Sequence, residues 1–276
     1  MTDIVDYNAI WRIFRKKHNN PSFNWDDRAS SFNKIASATS DEVIRNVEAI
    51  GIRPSDTVLD MGAGTGRYAV HLAKKASHLT VLEPSKGMLS FLEENMKDAG
   101  ITNYSVLNKN FEDVEVGKDL AVHDVVFASN SLGFDDLRAG LEKLDSAAKR
   151  VVNILWFAGP SRHIPDPELM KRLGTETVDI SMPDYITIAH VLHQMGIYAN
   201  ISVEKVTRKQ YYDSPGEAAD FWIERGDYSD EEKEIVRDYM EEMLRPEDDG
   251  RYSTVRSYRS ARIWWEKEAN HDEPGV

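Results

Sequence analysis

The stretch that most restricts how this chain can fold runs from Thr57 to Ala73, TVLDMGAGTGRYAVHLA. An apolar run closes on an acid at Val58-Leu59-Asp60, and glycines follow at alternate positions, Gly62, Gly64 and Gly66. Tyr68, Ala69, Leu72 and Ala73 then recur with helical spacing. The pattern predicts a buried strand turning sharply into a helix, through a loop whose glycines tolerate positive φ and admit a ligand close to the backbone. The helix start is expected to offer free N–H groups and its dipole to a negatively charged ligand group.

The dinucleotide fingerprint G-x-G-x-x-G/A packs helix on strand through its last small residue. Counted from Gly62 that position holds Arg67, and the fingerprint fails. What stands here is D-x-G-x-G-x-G, from Asp60 to Gly66, which resembles motif I of the class I S-adenosylmethionine (SAM)-dependent methyltransferases. The next strand, His78-Leu79-Thr80-Val81-Leu82, ends at Glu83, where that family keeps a carboxylate for the ribose hydroxyls. A carboxylate suits a diol because it accepts two hydrogen bonds at once, although Glu83 alone fits an NAD ribose equally well. The resemblance implies SAM as cofactor, bound by Asp60, Gly62, Ala63, Gly64 and Gly66, with Glu83 and the adjoining Pro84. It also implies an adenine site near Asn110-Phe111-Glu112-Asp113-Val114, with Phe111 on the purine face and Glu112 or Asp113 accepting from the exocyclic amine. A plain turn with Phe111 in the core is the alternative there.

At 276 residues, with 41% hydrophobic and 29% charged, the chain suits one α/β domain with additions, or one and a half domains. Lys+Arg 34 against Asp+Glu 47 leaves a net charge of −13, which disfavours a nucleic-acid partner because most non-specific affinity for nucleic acid is electrostatic. There is no cysteine, which excludes disulfides, Cys-ligated zinc and the thiolate attack used by C5-pyrimidine methyltransferases. The polar start MTDIVDYNAIWRIF lacks the apolar core of a signal peptide, and no apolar run approaches the roughly 20 residues of a membrane span. A cytoplasmic protein with no membrane partner is the expectation.

In chain order, Ile10, Trp11 and Phe14 suggest one helix face. The stretch Trp25-Asp26-x-Arg28-Ala29-x-x-Phe32 is similar to an N-terminal segment that folds over the cofactor cleft in methyltransferases of this type. Trp25 and Arg28 then lie near cofactor or acceptor, or else Trp25 is a core anchor and Arg28 a solvated or ion-paired side chain. Thr39-x-x-Glu42 reads as a capping box before a helix burying Val43, Ile44, Val47 and Ile50 and stopped by Gly51. Ser85 caps a helix carrying Met88, Leu89, Leu92 and Met96, ended by Gly100. Strands are expected at 101–107, 123–128 and 150–157, with a Leu137-Leu141-Leu144 helix before the last. Five strand–helix alternations predict a Rossmann-like doubly wound sheet.

Residues 158–182 are polar and interrupted by proline, and a helix with Tyr185, Ile188, Ala189, Leu192 and Met195 follows Pro183. Strands at 201–212 and 251–265 complete seven, and the resemblance puts the last antiparallel between the fifth and sixth. Between them, Ser214-Pro215-x-Glu217 and Ser229-x-x-Glu232 open two helices, the second stopped by Pro246. The expected organisation is an N-terminal helical cap (1–50), a SAM-binding core (51–213), a helical lid (214–250), and the last strand with its tail (251–276).

The resemblance extends to the small-molecule branch often grouped with the ubiquinone/menaquinone-biosynthesis-type methyltransferases. Ser129-Asn130-Ser131-Leu132 occupies the place of motif IV but lacks the Asn/Asp-Pro-Pro-Tyr/Phe of enzymes that methylate adenine or glutamine, so a small-molecule acceptor is expected. Asn130 lines the pocket through its side chain or its backbone. No catalytic base is assigned and no metal is expected. His190 and His193 have i, i+3 spacing, yet neither they nor His163 has a third ligand at recognisable spacing. Trp222, Trp264 and Trp265 form either an aromatic acceptor pocket or core. An RNA or protein methyltransferase, or a non-catalytic binder of SAM or S-adenosylhomocysteine, remains the competing reading.

Overall fold

The computed structural model describes residues 5–18, 24–36, 41–159, 167–174, 183–224 and 228–267. In chain order the elements are α1 (Tyr7–His18), α2 (Trp25–Ala36), α3 (Asp41–Ile50), β1 (Thr57–Met61), α4 (Ala69–Ala73), β2 (His78–Leu82), α5 (Lys86–Asp98) and β3 (Tyr104–Leu107). There follow β4 (His123–Ser129), α6 (Leu137–Ser146), β5 (Ala148–Phe157), α7 (Pro167–Arg172), α8 (Tyr185–Gln194) and β6 (Asn200–Tyr212). The last are α9 (Pro215–Ile223), α10 (Asp230–Met243), β7 (Arg245–Pro246) and β8 (Tyr252–Glu266). The strands form one sheet in the order β3-β2-β1-β4-β5-β8-β6. The first five are parallel, and β8 runs antiparallel to β5, as the bonds Lys267 N to Arg150 O and Ala158 N to Arg259 O show. The fold is the Rossmann-like sheet expected from the alternation of strands and helices. The two-residue β7, antiparallel to β8, was not expected. It forms because Pro246 ends α10 and the chain then doubles back at Gly250, whose φ is +85°.

The chain divides into two compact units, one of 1–156, 183–202 and 261–276, the other of 157–182 and 203–260. In the first, Val58, Leu72, Leu79, Val81, Leu92, Val125 and Phe127 are buried together in the core that carries β1, β2 and β4. Helix ends follow local chemistry. Ser85 Oγ accepts from Met88 N to start α5, Asp136 starts α6 and Asp184 starts α8 in the same way. In α1 the buried face carries Trp11, while Ile10 is exposed, and in α3 Ile44 is exposed while Val43, Val47 and Ile50 are buried. Those two isoleucines were expected inside; Asn46 and Glu42 take buried places on α3 instead, bound to Tyr68 and Arg67. Thr39 lies outside the described residues.

The second unit takes in α7 and parts of β6 and β8 as well as residues 214–250. Its own core is Leu169, Tyr212, Ala218, Ala219, Trp222, Val236, Tyr239, Met240 and Leu244. Ser214 and Ser229 cap α9 and α10, the latter with a complete capping box. Among the described residues no helix is long and apolar enough to cross a membrane.

Gly140, inside α6, sits against the ring of Phe134: a Cβ there would lie 2.0 Å from Phe134 Cδ2. An exposed helical Gly→Ala change gains about 1 kcal/mol. Here the overpacking cost of about 1–3 kcal/mol reverses the sign. Gly140→Ala is therefore expected to lower the urea midpoint, and a raised midpoint would contradict this packing.

Candidate functional site

β1 delivers the chain to the carboxyl edge of the sheet, and the loop that follows turns on three glycines with φ of +71° (Gly62), +57° (Gly64) and +87° (Gly66). Their missing side chains serve different ends. A Cβ on Gly62 would stand 2.4 Å from Ser131 Cβ, and one on Gly66 would stand 3.1 Å from Leu92 Cγ. On Gly64 it would meet only Phe32 Cε1, at 3.6 Å. Gly62 and Gly66 are thus small for the chain's own packing, and Gly64 is the open member of the three.

Within the loop, four N–H groups are bonded to the chain itself. Gly62 N and Ala63 N both donate to Leu82 O (2.8 and 3.3 Å), Gly66 N donates to Ala63 O (3.0 Å), and Gly64 N donates to Glu83 Oε2 (2.9 Å). The helix that follows, α4, is only five residues long and supplies little dipole. The loop instead faces carboxylates. Glu83, buried at the end of β2, receives Ser85 N on Oε1 at 2.9 Å, and burial pushes its pKa up against those two bonds. Asp60, in register with Val81 and Phe127, is fully buried, and its Oδ2 has no hydrogen-bond partner. Burial first, and the charge of Glu83 second, push the Asp60 carboxyl up to about 8. Two carboxyl groups, Asp60 and Glu83, stand beside the glycine loop, and they suit a cationic ligand group better than a pyrophosphate.

The remaining expected site residues lie around this edge. Pro84 O and Glu83 O both accept from Asn108 Nδ2 (2.8 and 2.9 Å). Phe111 opens a short 3₁₀ turn, is buried, and packs at 5.7 Å on Phe134, while Glu112 Oε1 accepts from Asp135 N at 3.1 Å. Asn130, just past β4, is the non-glycine residue with positive φ (54°) among those described. Its N–H donates to Leu155 O and its side chain to Ser129 Oγ. An αL asparagine held by its surroundings is the kind of backbone that accumulates at binding sites.

Three residues were not singled out from the sequence. Ser131 Oγ donates to Met61 O at 2.6 Å and locks the 129–132 turn onto the glycine loop. Asp26 Oδ1 accepts from Ser85 Oγ (2.5 Å) and Gly87 N (2.8 Å), and Phe32, on the same helix α2, lies against Gly64. The signal for α2 was the Trp25–Phe32 stretch, but its weight falls on Asp26 and Phe32. Trp25 itself is exposed, edge-on to Phe32, and is no core anchor; Arg28 is half-buried. Arg67, which breaks the dinucleotide fingerprint, pairs with Glu42 at 3.2 Å.

His190 stacks on Tyr7 and His193 meets Tyr198 edge-on, and no cluster of three His, Cys, Asp or Glu among the described residues could hold a metal. His163 lies outside the described residues. Trp222 is buried in the second unit's core, Trp265 is buried in the first unit with Nε1 on Asp145, and Trp264 is half-buried beneath Arg262.

Residues 58–153 match the family model of a methyltransferase domain. The chain is 28% identical over 253 residues to an uncharacterized protein of Haemophilus influenzae, covering 90% of each. It is 31% identical over 159 residues to a probable cobalt-precorrin-6B C(15)-methyltransferase (decarboxylating) of Methanosarcina acetivorans, covering 55% of this chain and 83% of that one. A 23S rRNA (uracil(1939)-C(5))-methyltransferase, RlmD, of Shewanella sediminis matches at 23% over 172 residues, 61% of this chain but 38% of its own. In fold, the chain resembles the crystal structure of the YcgJ protein from Bacillus subtilis, with a TM-score of 0.54 and 14% identity over 83% of this chain and 99% of that one. With the domain match, these relatives and the sheet order taken together, the chain belongs to the class I SAM-dependent methyltransferases.

Proposed function

We propose that this methyltransferase acts on a small-molecule acceptor, and that its cofactor lies in the bay of Asp60, Gly62, Ala63, Gly64, Gly66, Glu83, Pro84, Phe111, Glu112 and Asn130. The observation that carries the cofactor placement is a pair of buried carboxyl groups: the unpartnered Oδ2 of Asp60 and the buried Glu83 favour a cationic sulfonium amino acid, whose charge draws the proton from Asp60. When bound, SAM supplies an already activated methyl group. The residues of the chain then have little covalent work to do. Asp60 and Glu83 bind and orient, Gly64 lets the backbone approach closely, Phe32 on α2 screens the loop from water, and the Ser129–Ser131 turn borders the acceptor side. The acceptor atom must be held in line about 3–3.5 Å from the methyl carbon, so positioning supplies most of the rate.

Small-molecule chemistry is supported by the net charge of −13 and by the absence of an Asn/Asp-Pro-Pro-Tyr/Phe turn at 129–132. An RNA acceptor is the second reading, because relatives named for ribosomal RNA match over 172 residues. Uracil C5 chemistry of the thiolate kind is closed to these 276 residues, which contain no cysteine. The test is methyl transfer from radiolabelled SAM into an extract of the source organism split into low-molecular-mass filtrate, RNA and protein. Label is expected in the filtrate; label confined to RNA or protein overturns the acceptor class.

A further inference from the structure

Arg262, on β8, is a half-buried guanidinium for which no carboxylate partner stands among the described residues. Its Nε donates to Asn153 Oδ1 at 2.9 Å and its Cζ lies 4.2 Å from the centre of the Trp264 ring. Desolvation holds its pKa below the ordinary arginine value, with no acid to offset it. Asn153 is itself fully buried, and its Nδ2 has no hydrogen-bond partner. A half-buried cation without an anion beside a buried amide with an unpartnered Nδ2 carries a cost that a ligand could relieve.

Their place in the sheet says which ligand. The backbone bonds Lys267 N to Arg150 O and Ala158 N to Arg259 O set an antiparallel register in which Asn153 faces Trp264 and Leu155 faces Arg262. Asp60 is paired with Phe127, and Phe127 with Asn153, so Asp60, Asn153 and Trp264 share one face of the sheet. Leu155 is paired with Ser129, which puts Arg262 two strand steps from the Ser129–Ser131 turn on that face. At about 4.8 Å per step the separation is roughly 10 Å, the length of a small acceptor. The cofactor end of the edge carries carboxyl groups, and the far end carries this lone cation.

We propose that Arg262, seated on Trp264 and fixed by Asn153, anchors a carboxylate of the methyl acceptor. With Nε occupied, Nη1 and Nη2 remain as a fork for two coplanar oxygens, a geometry a planar carboxylate matches. A monoanion is favoured over a phosphate dianion, since Asp60 and Glu83 lie on the same edge. The assignment rests on the small-molecule reading above.

The test uses the full chain saturated with S-adenosylhomocysteine and follows benzoate, benzamide and inorganic phosphate by ligand-observed NMR. Benzoate is expected to bind, benzamide and phosphate far more weakly, and Arg262→Gln to weaken benzoate by about tenfold, the worth of one charged hydrogen-bonded contact. Arg262→Lys, which keeps the charge but not the fork, is expected to fall between. The SAM affinity of both variants, measured by calorimetry, is expected to stay within about twofold of wild type, which also certifies their folding. Benzoate that fails to bind, or binds Arg262→Gln as well as wild type, overturns the anchor. Phosphate bound more tightly than benzoate overturns the choice of carboxylate. The two readings fail separately: label found only in RNA with benzoate still Arg262-dependent removes the small-molecule acceptor alone, and label in the filtrate without benzoate binding removes the anchor alone.

Discussion

Gly62→Ala is expected to melt roughly 5–15 °C below wild type, whereas Gly64→Ala is expected to melt within a few degrees of it and still lose most of its SAM affinity. The two residues sit two positions apart in one motif, and the usual view of such loops makes both of them ligand residues. Gly62 combines a φ of +71° with a Cβ position 2.4 Å from Ser131 Cβ, next to a hydroxyl already fixed on Met61 O. Left-handed strain of about 1–2 kcal/mol and overpacking of about 1–3 kcal/mol add there. Gly64 meets only Phe32 at an ordinary contact distance, so it bears the strain alone. Its N–H nevertheless holds Glu83 Oε2, and a methyl group at that point intrudes on the open side of the bay. Thermal melts and calorimetry on both variants decide the matter; equal melting temperatures would falsify the division of labour.

At pH 7, binding of SAM is expected to release about one proton from the protein, and none from Asp60→Asn. In the free protein the Asp60 carboxyl, pushed up to about 8, is mostly protonated at pH 7. A sulfonium cation nearby favours the carboxylate and expels the proton. Calorimetry at pH 7 in buffers of different ionisation enthalpy reads the proton count directly. The same group shapes stability without ligand. Its folded pKa lies above its unfolded one, so its contribution is fully present below about pH 4 and is lost as the pH rises through about 8. The free protein should therefore lose stability across that window, and Asp60→Asn should flatten that part of the curve. No proton release from wild type would remove Asp60 from the cofactor's surroundings.

Much of the fold was legible because its signals are local. The run Thr57–Met61, the positive-φ glycines, the Ser85, Ser214 and Ser229 caps, and the continuous apolar strand β5 each announce themselves within a few residues. The misreadings came from contacts between distant segments. Gly62 is small because of Ser131, nearly seventy residues on. Ile10 and Ile44 were assigned inward because periodicity finds an apolar stripe but not its width, and Asn46 and Glu42 took places by pairing with Tyr68 and Arg67. Arg262 was invisible for the same reason: nothing in RIWW says that the arginine lies beside a buried asparagine over a hundred residues earlier.

The position of β8 has a consequence for how the polypeptide is made. β8, which follows both in the chain, is inserted between β5 and β6. On the ribosome β5 must therefore wait with one flank unzipped, its backbone groups open to stray pairing, until residues 252–266 emerge. Vectorial synthesis thus delivers Arg262 together with the strand that closes this part of the sheet, and a nascent chain halted before Tyr252 would hold the glycine loop but lack β8.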